Sequence, residues 1–342
     1  MQLTTKDTPQ TTNLVDLPKH TKMLIPKRIQ FETFYGCNAR CTMCAISKPA
    51  TRPISEMDMN MFKEIVDSLE PYKDDIEKVD LFGLGEPLMD KLLFDRIKYL
   101  KDRKFTGLAI STNAHLLHDD KQRQLLDSGI DTIIFSIDGV KKETHEDIRK
   151  RVNFDTVMKN TQDMIQMRDD GDYKTRFVVR FIRQKSNIDE WDTFLNFWDS
   201  KLSQKKNDLI IVYDVNTMGG EMYSKKDLVS EEEYSIEIEK KSCHQVFDRM
   251  IINADGSMPL CCEDTPRATQ NLGNVNNGFP LDLWNGKKMQ KIRELHAKGE
   301  KNRLKICEEC TMLYSESKTQ VFQPSKNVIS TKINVSTQYQ LQ

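Results

Sequence analysis

The chain has 342 residues, 38% hydrophobic and 30% charged, enough for one large domain with a full core and a smaller one beside it. Its 51 basic and 52 acidic residues leave a net charge of −1, which excludes a bulk electrostatic pull toward nucleic acid or anionic lipid. No apolar run approaches membrane-spanning length and the opening MQLTTKDTPQTTNLVD lacks a signal-peptide pattern, so the sequence reads as that of a cytoplasmic protein.

Residues 1–27 are polar, carry Pro9, Pro18 and Pro26 and show no period, which predicts an irregular N-terminal arm. From residue 28 short β-rich runs alternate with helical patterns. The predicted strands are RIQFETFY (28–35), VDLFG (79–83), GLAIST (107–112), TIIFSID (132–138), RFVVRFI (176–182) and LIIVYDV (209–215). Between them, apolar residues recur at three-to-four spacing, as in Met59, Phe62, Ile65, Val66 and Leu69, or Phe154, Val157, Met158, Met164 and Ile165. Six β–α alternations across residues 28–223 imply an α/β fold of parallel strands with helices outside, either a doubly wound sheet or a barrel. In both, chemistry collects on the loops after the strands' C-terminal ends.

The charge-dense stretch at 224–242 reads as a linker. Residues 243–317 form a second unit, richer in Gly, Asn and Pro, in which Asp255-Gly256 between two β-like runs of RMIINADGSMPLCC predicts a hairpin. KKMQKIRELHAKG (287–299) predicts a helix with a glycine stop. The polar, aperiodic residues 318–342 predict a flexible tail.

Eight cysteines in a cytoplasmic chain point to metal ligands or reactive thiols rather than disulfides. They fall into two groups, the first being Cys37, Cys41 and Cys44, spaced Cys-x3-Cys-x2-Cys directly after the first predicted strand. A closed tetrahedral zinc site uses four thiols, whereas three thiolates on a tight loop can hold three irons of a cubane cluster and leave the fourth iron open. The competing reading is a zinc knuckle completed from elsewhere, although zinc motifs usually arrive as two Cys-x2-Cys pairs.

On this motif the chain resembles the radical S-adenosylmethionine (SAM) superfamily, whose cysteine loop follows the first strand of a partial (βα)6, TIM-like barrel. GLGEP (83–87) resembles the family's Gly-Gly-Glu-Pro element, which implies that Gly85 and Glu86 approach the SAM amino group. STNA (111–114) resembles its ribose-side motif through Ser111 and Asn113. SIDG (136–139), with HEDIRKRVNFDTVMKN after it, resembles the branch that carries C-terminal iron–sulfur domains, through Ser136 and Asp138. Met43 stands where an aromatic residue is usual, and Ala114 where glycine often ends the ribose motif; neither removes a required group. The resemblance implies cofactor contacts from Met43, Gly85, Glu86, Ser111, Asn113, Ser136, Asp138 and Arg180. It also implies reductive cleavage of SAM to a 5′-deoxyadenosyl radical that takes hydrogen from an unactivated C–H bond, with a flavodoxin- or ferredoxin-type electron donor.

The second group is Cys243, Cys261, Cys262, Cys307 and Cys310. Cys307-x2-Cys310 is a chelating pair that Cys243 and one of Cys261 or Cys262 complete to four, as a structural zinc or a closed cluster. The landmarks DG, LGNV, LDLWNG and CEEC resemble the SPASM/twitch domain, which holds auxiliary 4Fe-4S clusters. A full SPASM domain has seven ligand cysteines for two clusters, so five imply one auxiliary cluster, and the family spacing favours Cys243, Cys261, Cys307 and Cys310 as its ligands. Cys262 is then left over. It reads either as a packing thiol or as a hydrogen-atom donor, the catalytic residue of an epimerisation; without a donor, the auxiliary cluster could accept the electron in a dehydrogenation.

The substrate expected from the short, single-auxiliary-cluster relatives is a small hydroxylated metabolite: a sugar, an aminocyclitol or a nucleotide sugar. A ribosomal peptide is the alternative. Peptide-modifying members often carry an N-terminal leader-binding domain for which the arm has no room, although some peptide epimerases lack it too. Arg180, Arg183, Asp214 and Asn216, on or near the last two strands, are candidates to meet a polar substrate or SAM, or to pair with one another. His115 and His244 receive no role. A third reading, of another class, is a zinc-stabilised binding protein. Anaerobic purification separates the classes: radical chemistry requires a brown protein with about eight irons, whereas a colourless protein with about two zincs removes it.

Overall fold

The computed structural model describes residues 13–16, 22–49, 52–228 and 240–325. Six parallel strands follow one another across one sheet in chain order: β1 (Arg28–Phe31), β2 (Lys78–Asp80), β3 (Leu108–Thr112), β4 (Thr132–Ser136), β5 (Arg176–Arg183) and β6 (Leu209–Asp214). Helices link them: α1 (Met59–Leu69), α2 (Leu93–Asp102), α3 (Asp119–Asp127), α4 (Lys142–Ile148), α5 (Phe154–Asp170) and α6 (Trp191–Asp199). Strands β3 and β4 are buried at every position, as expected where both faces of a parallel sheet are covered. The result is the partial (βα)6 barrel. Among the described residues, no helix is long and apolar enough to cross a membrane.

The helices form where the apolar period places them. Asp58 caps α1 by accepting from the amides of Asn60 and Met61 (2.8 and 3.0 Å), and Phe62, Ile65, Val66 and Leu69 turn into the core. Asn153 caps α5 in the same way through Thr156 N (2.9 Å).

Two strands widen the sheet beyond the sequence expectation. Residues 249–262 do not form a long hairpin: the run Arg249–Ile252 (β7) lies parallel to β1, beginning opposite Arg28. The Asp255-Gly256 turn is present, with Gly256 at φ 80°, closed by Gly256 N to Asn253 O (2.9 Å) and Asn253 N to Ser257 O (2.9 Å). All of β7 is buried, so its ladder is satisfied by β1, and the chain after the turn pairs instead with Gly273 and Leu272. At the other edge Gln320–Phe322 (β8) runs antiparallel to β6, so the start of the expected tail is part of the barrel. Residues 326–342 lie outside the described residues.

The expected irregular arm is also corrected in part. Asn13–Asp16 pairs antiparallel with Lys22–Ile25, and Ile25 is fully buried. Leu24 N donates to Asn285 Oδ1 (2.9 Å), which ties this strand to the C-terminal unit. Most of the expected linker, residues 229–239, lies outside the described residues. In the C-terminal unit the predicted helix is α7 (Lys287–Ala297).

The first predicted strand stops at Phe31; Phe34–Tyr35 instead pair with Ser55–Glu56. Between them Glu32, with no exposure, accepts hydrogen bonds from Leu84 N (3.2 Å), Ala254 N (3.3 Å) and Arg52 Nη2 (3.0 Å). Burial raises its carboxyl above the ordinary range while Arg52 and the two amides pull it back. Replacing Glu32 by Ala leaves a buried guanidinium and two amides without their acceptor. The expected cost is about 3–5 kcal/mol, seen as a lower thermal midpoint of the variant.

Candidate functional site

The loop after β1 is held in three ways. Arg40–Cys41 pairs with Arg149–Lys150 at the end of α4, Ser47 Oγ donates to Cys41 O (2.7 Å), and Cys44 N donates to the same carbonyl (3.1 Å). Cys37, Cys41 and Cys44 thereby share one cavity of about 300 Å³, together with Met43. The cavity continues along the sheet to Arg28 and Gln30 of β1 and Arg249 of β7.

Each barrel motif lands on this cavity. Gly85 lies so close to the cysteine loop that an added Cβ would meet Phe34 O at 2.2 Å, and Glu86 N donates to Gly36 O (2.9 Å). Only glycine lets these two loops touch. Ser111, Ser136 and Arg180, from three adjacent strands, converge there: Arg180 Nη2 donates to Ser111 Oγ (2.9 Å) and Ser136 Oγ (2.5 Å). Asn113 Nδ2 donates to Asn38 Oδ1 (2.9 Å) and lies 3.8 Å from Cys37 Sγ.

Two expected cofactor contacts are made differently. The Glu86 carboxylate is spent on the protein, accepting from Thr112 Oγ1 (2.7 Å), Leu88 N (3.1 Å) and Asn113 N (2.9 Å). It fixes the end of β3 against its own loop, leaving the backbone of the motif to face the cavity. Asp138 does not reach the cavity. Its carboxylate accepts from Ile182 N (2.7 Å) and pairs with Arg149 Nη2 (2.8 Å), and Arg149 Nη1 lies 3.7 Å from Cys41 Sγ. Asp138 thus positions a guanidinium on the cysteine loop, a role that no local pattern in the sequence marks. Arg183 and Asp214 pair with each other (2.6 Å), while Asn216 lines the cavity. His244 sits buried between Asp248 (3.1 Å) and Glu316 (3.0 Å), which raise it to about 9 against its burial.

A second, enclosed cavity is lined by Cys243, Cys261, Cys307 and Cys310, with His296 and Lys301 at its wall. Cys262 does not line it. That thiol belongs to the first cavity, with Gln245 Oε1 at 3.1 Å and Glu263 Oε1 at 3.5 Å from its sulfur. Consecutive residues therefore line different cavities, Cys261 the second and Cys262 the first.

The thiols suit a polynuclear group. Burial pushes Cys37, Cys44 and Cys307 up to about 12 and raises Cys41, Cys243, Cys261 and Cys310 too, so they become thiolates only beside a strong cation. Donors stand ready for the sulfurs: Ala39 N is 3.3 Å from Cys37 Sγ and Met312 N is 3.4 Å from Cys310 Sγ. Among the described residues, no three His, Cys, Asp or Glu side chains converge closely enough for a single metal ion.

Comparison with known proteins gives the same two parts. The model of the radical SAM superfamily matches residues 31–179, and that of the SPASM iron–sulfur cluster-binding domain matches residues 243–311. Among curated relatives, the tungsten-containing aldehyde ferredoxin oxidoreductase cofactor-modifying protein of Pyrococcus furiosus is 32% identical over 112 residues, 33% of this chain and 31% of that protein. The AdoMet-dependent heme synthase of Methanosarcina barkeri is 29% identical over 124 residues, 36% of this chain and 34% of that protein. The chain thus spans about a third of the length of these relatives. Among solved structures, BtrN in complex with AdoMet and 2-DOIA matches with a TM-score of 0.57 at 16% identity, covering 84% of this chain and 93% of that one. Streptococcus suis SuiB bound to precursor peptide SuiA matches with a TM-score of 0.59 at 16% identity, covering 79% and 67%. At these identities the structural likeness is one of fold.

The two cavities divide the iron. Replacing Cys37, Cys41 and Cys44 together by Ala should remove about half of the iron of the anaerobically reconstituted protein, and replacing Cys243, Cys261, Cys307 and Cys310 the other half. Cys262→Ala should keep all of it, as measured by iron and sulfide analysis.

Proposed function

The chain belongs to the radical SAM superfamily and carries a SPASM iron–sulfur cluster-binding domain, and we propose that it is an oxidoreductase or epimerase acting on a small hydroxylated metabolite. A sugar, an aminocyclitol or a nucleotide sugar is the substrate class. A 4Fe-4S cluster on Cys37, Cys41 and Cys44, with SAM on its open iron, supplies one-electron chemistry able to remove hydrogen from an unactivated C–H bond. The protein's part is to hold and orient. Ser111, Ser136 and Arg180 present hydroxyls and a guanidinium to the polar parts of SAM, while Gly85 and Met43 shape the wall beside it. Arg149, held by Asp138, places positive charge against the cysteine loop. Cys243, Cys261, Cys307 and Cys310 give a single auxiliary cluster all four of its ligands, which leaves that cluster no position for SAM.

The observation that carries the reading is the place of Cys262, in the same cavity as Cys37, Cys41 and Cys44. Its S–H bond breaks as a new C–H bond forms at the substrate carbon from which hydrogen was taken. The sulfur then regains one electron from a flavodoxin- or ferredoxin-type donor and one proton from water. Delivery to the opposite face of that carbon makes the reaction an epimerisation. Burial pushes the Cys262 thiol up to about 12, which keeps the hydrogen on the sulfur at neutral pH.

A second reading keeps this chemistry and takes a ribosomal peptide; its support is that SuiB, of the same fold, is bound to a precursor peptide.

Turnover in deuterated water tests the donor role. The wild-type product should carry one deuterium at the epimerised carbon, and Cys262→Ala should still cleave SAM to 5′-deoxyadenosine without giving epimer. A wild-type product free of deuterium, or an unchanged product from the variant, removes Cys262 from the mechanism.

A further inference from the structure

One arginine of the first cavity makes no hydrogen bond or ion pair among the described residues. Arg28 bonds Asp80, Arg149 bonds Asp138, and Arg180 bonds Ser111 and Ser136. Arg249 lines the same cavity and is 6% exposed, yet its side chain makes no hydrogen bond or ion pair with the described residues, and its Nε is buried without an acceptor. Asp80, Asp248 and Glu316 lie near enough to help hold the charge, and none takes up the guanidinium's donors. Glu263 also lies near enough to share its charge with Arg249, yet its Oε1 accepts from the Cys262 sulfur and its Oε2 is buried without a hydrogen bond. A guanidinium buried beside a cavity with its donors unused is costly, and the cost is offset when an acceptor of opposite charge enters.

The place of this group in the barrel matters. Arg249 begins β7 opposite Arg28, at the N-terminal end of the strands, whereas the cysteine loop follows the C-terminal end of β1. Cys262 lines the same cavity. A substrate anchored on Arg249 therefore shares one cavity with Cys262 and with the cysteine loop.

We propose that Arg249 is the substrate anchor, taking an oxyanion (a carboxylate or a phosphate) on its forked donors. The inference rests on the reading of this cavity as the substrate's, and it narrows the class. Acidic sugars fit, such as uronic acids, sugar phosphates and nucleotide sugars, whereas aminocyclitols bring an ammonium group toward a guanidinium. Two charge-assisted hydrogen bonds in a buried site are worth about a tenfold difference in affinity or more.

The test is binding by the fully reconstituted enzyme with SAM and no reductant, followed by tryptophan fluorescence. Inorganic phosphate and glucuronate are the anionic probes and glucose the neutral control. Either anion should bind at least about tenfold more tightly than glucose, and Arg249→Gln, at wild-type iron content, should abolish the difference. Equal binding of all three by the wild-type enzyme, or unchanged anion binding by R249Q, overturns the proposal. If R249Q does not load wild-type iron, Arg249→Lys decides: it keeps the charge but not the fork, so anion binding weakened several-fold with glucose unaffected supports the anchor, and unchanged binding overturns it. Formation of 5′-deoxyadenosine on reduction of the same preparations reads the radical chemistry separately, so loss of one reading is distinguishable from loss of the other.

Discussion

The carboxylate of Glu32 is the point at which the parts of this molecule meet. It follows β1 and precedes the cysteine loop, and it accepts at once from the Gly-Leu-Gly loop after β2, from Arg52, and from Ala254 just after β7. A charge buried this completely survives only if every lone pair is used, so the residue specifies geometry as much as it adds stability. Of its three partners, Leu84 lines the first cavity and Ala254 belongs to the segment that follows β7. Moving any one of them would leave the others with an unpaired buried group.

The same seam explains how two sites can lie side by side without mixing. After the Asp255-Gly256 turn the chain pairs with Gly273 and Leu272, and this places Cys261 and Cys262 on the partition between the cavities. The two thiols sit in a turn closed by Asp264 N donating to Cys261 O (3.1 Å), and within it one thiol enters each cavity. Glu263 lines both. An odd number of cysteines in the C-terminal group is thus a consequence of the partition: four surround the enclosed cavity and the fifth faces the barrel.

Much of this was legible because it rests on local pattern. The cysteine triplet, the glycine-rich loop and the six apolar runs are short-range signals, and each fell on the element expected of it. What stayed hidden depends on pairing between distant segments. The run Arg249–Ile252 looks like half of a hairpin, because the turn after it is a good one; that its ladder is completed by β1, more than two hundred residues earlier, has no local mark. Asp138 carried a family motif into the sequence reading, yet its carboxylate works through Arg149, and Glu86 is used up by Thr112 and Asn113. In both cases the carboxylate is held by protein groups, which the motif alone does not show. The strand Lys22–Ile25 escaped because four residues are too few to show a period beside three prolines.

The epimerisation proposed above imposes a geometric demand. Hydrogen must leave one face of a carbon and return to the other, so the abstracting group and the donor have to sit on opposite sides of a fixed substrate. In this barrel the cysteine loop lies at the C-terminal ends of the strands, Arg249 and Arg28 lie at their N-terminal ends, and Cys262 lines the same cavity. A substrate able to tumble would let the thiol quench the radical from either face and would erase the stereochemical outcome. An anchor is therefore part of the chemistry rather than an aid to affinity. Among the cavity's arginines named here, only Arg249 makes no hydrogen bond or ion pair among the described residues, and this is why the proposed anchor falls on it.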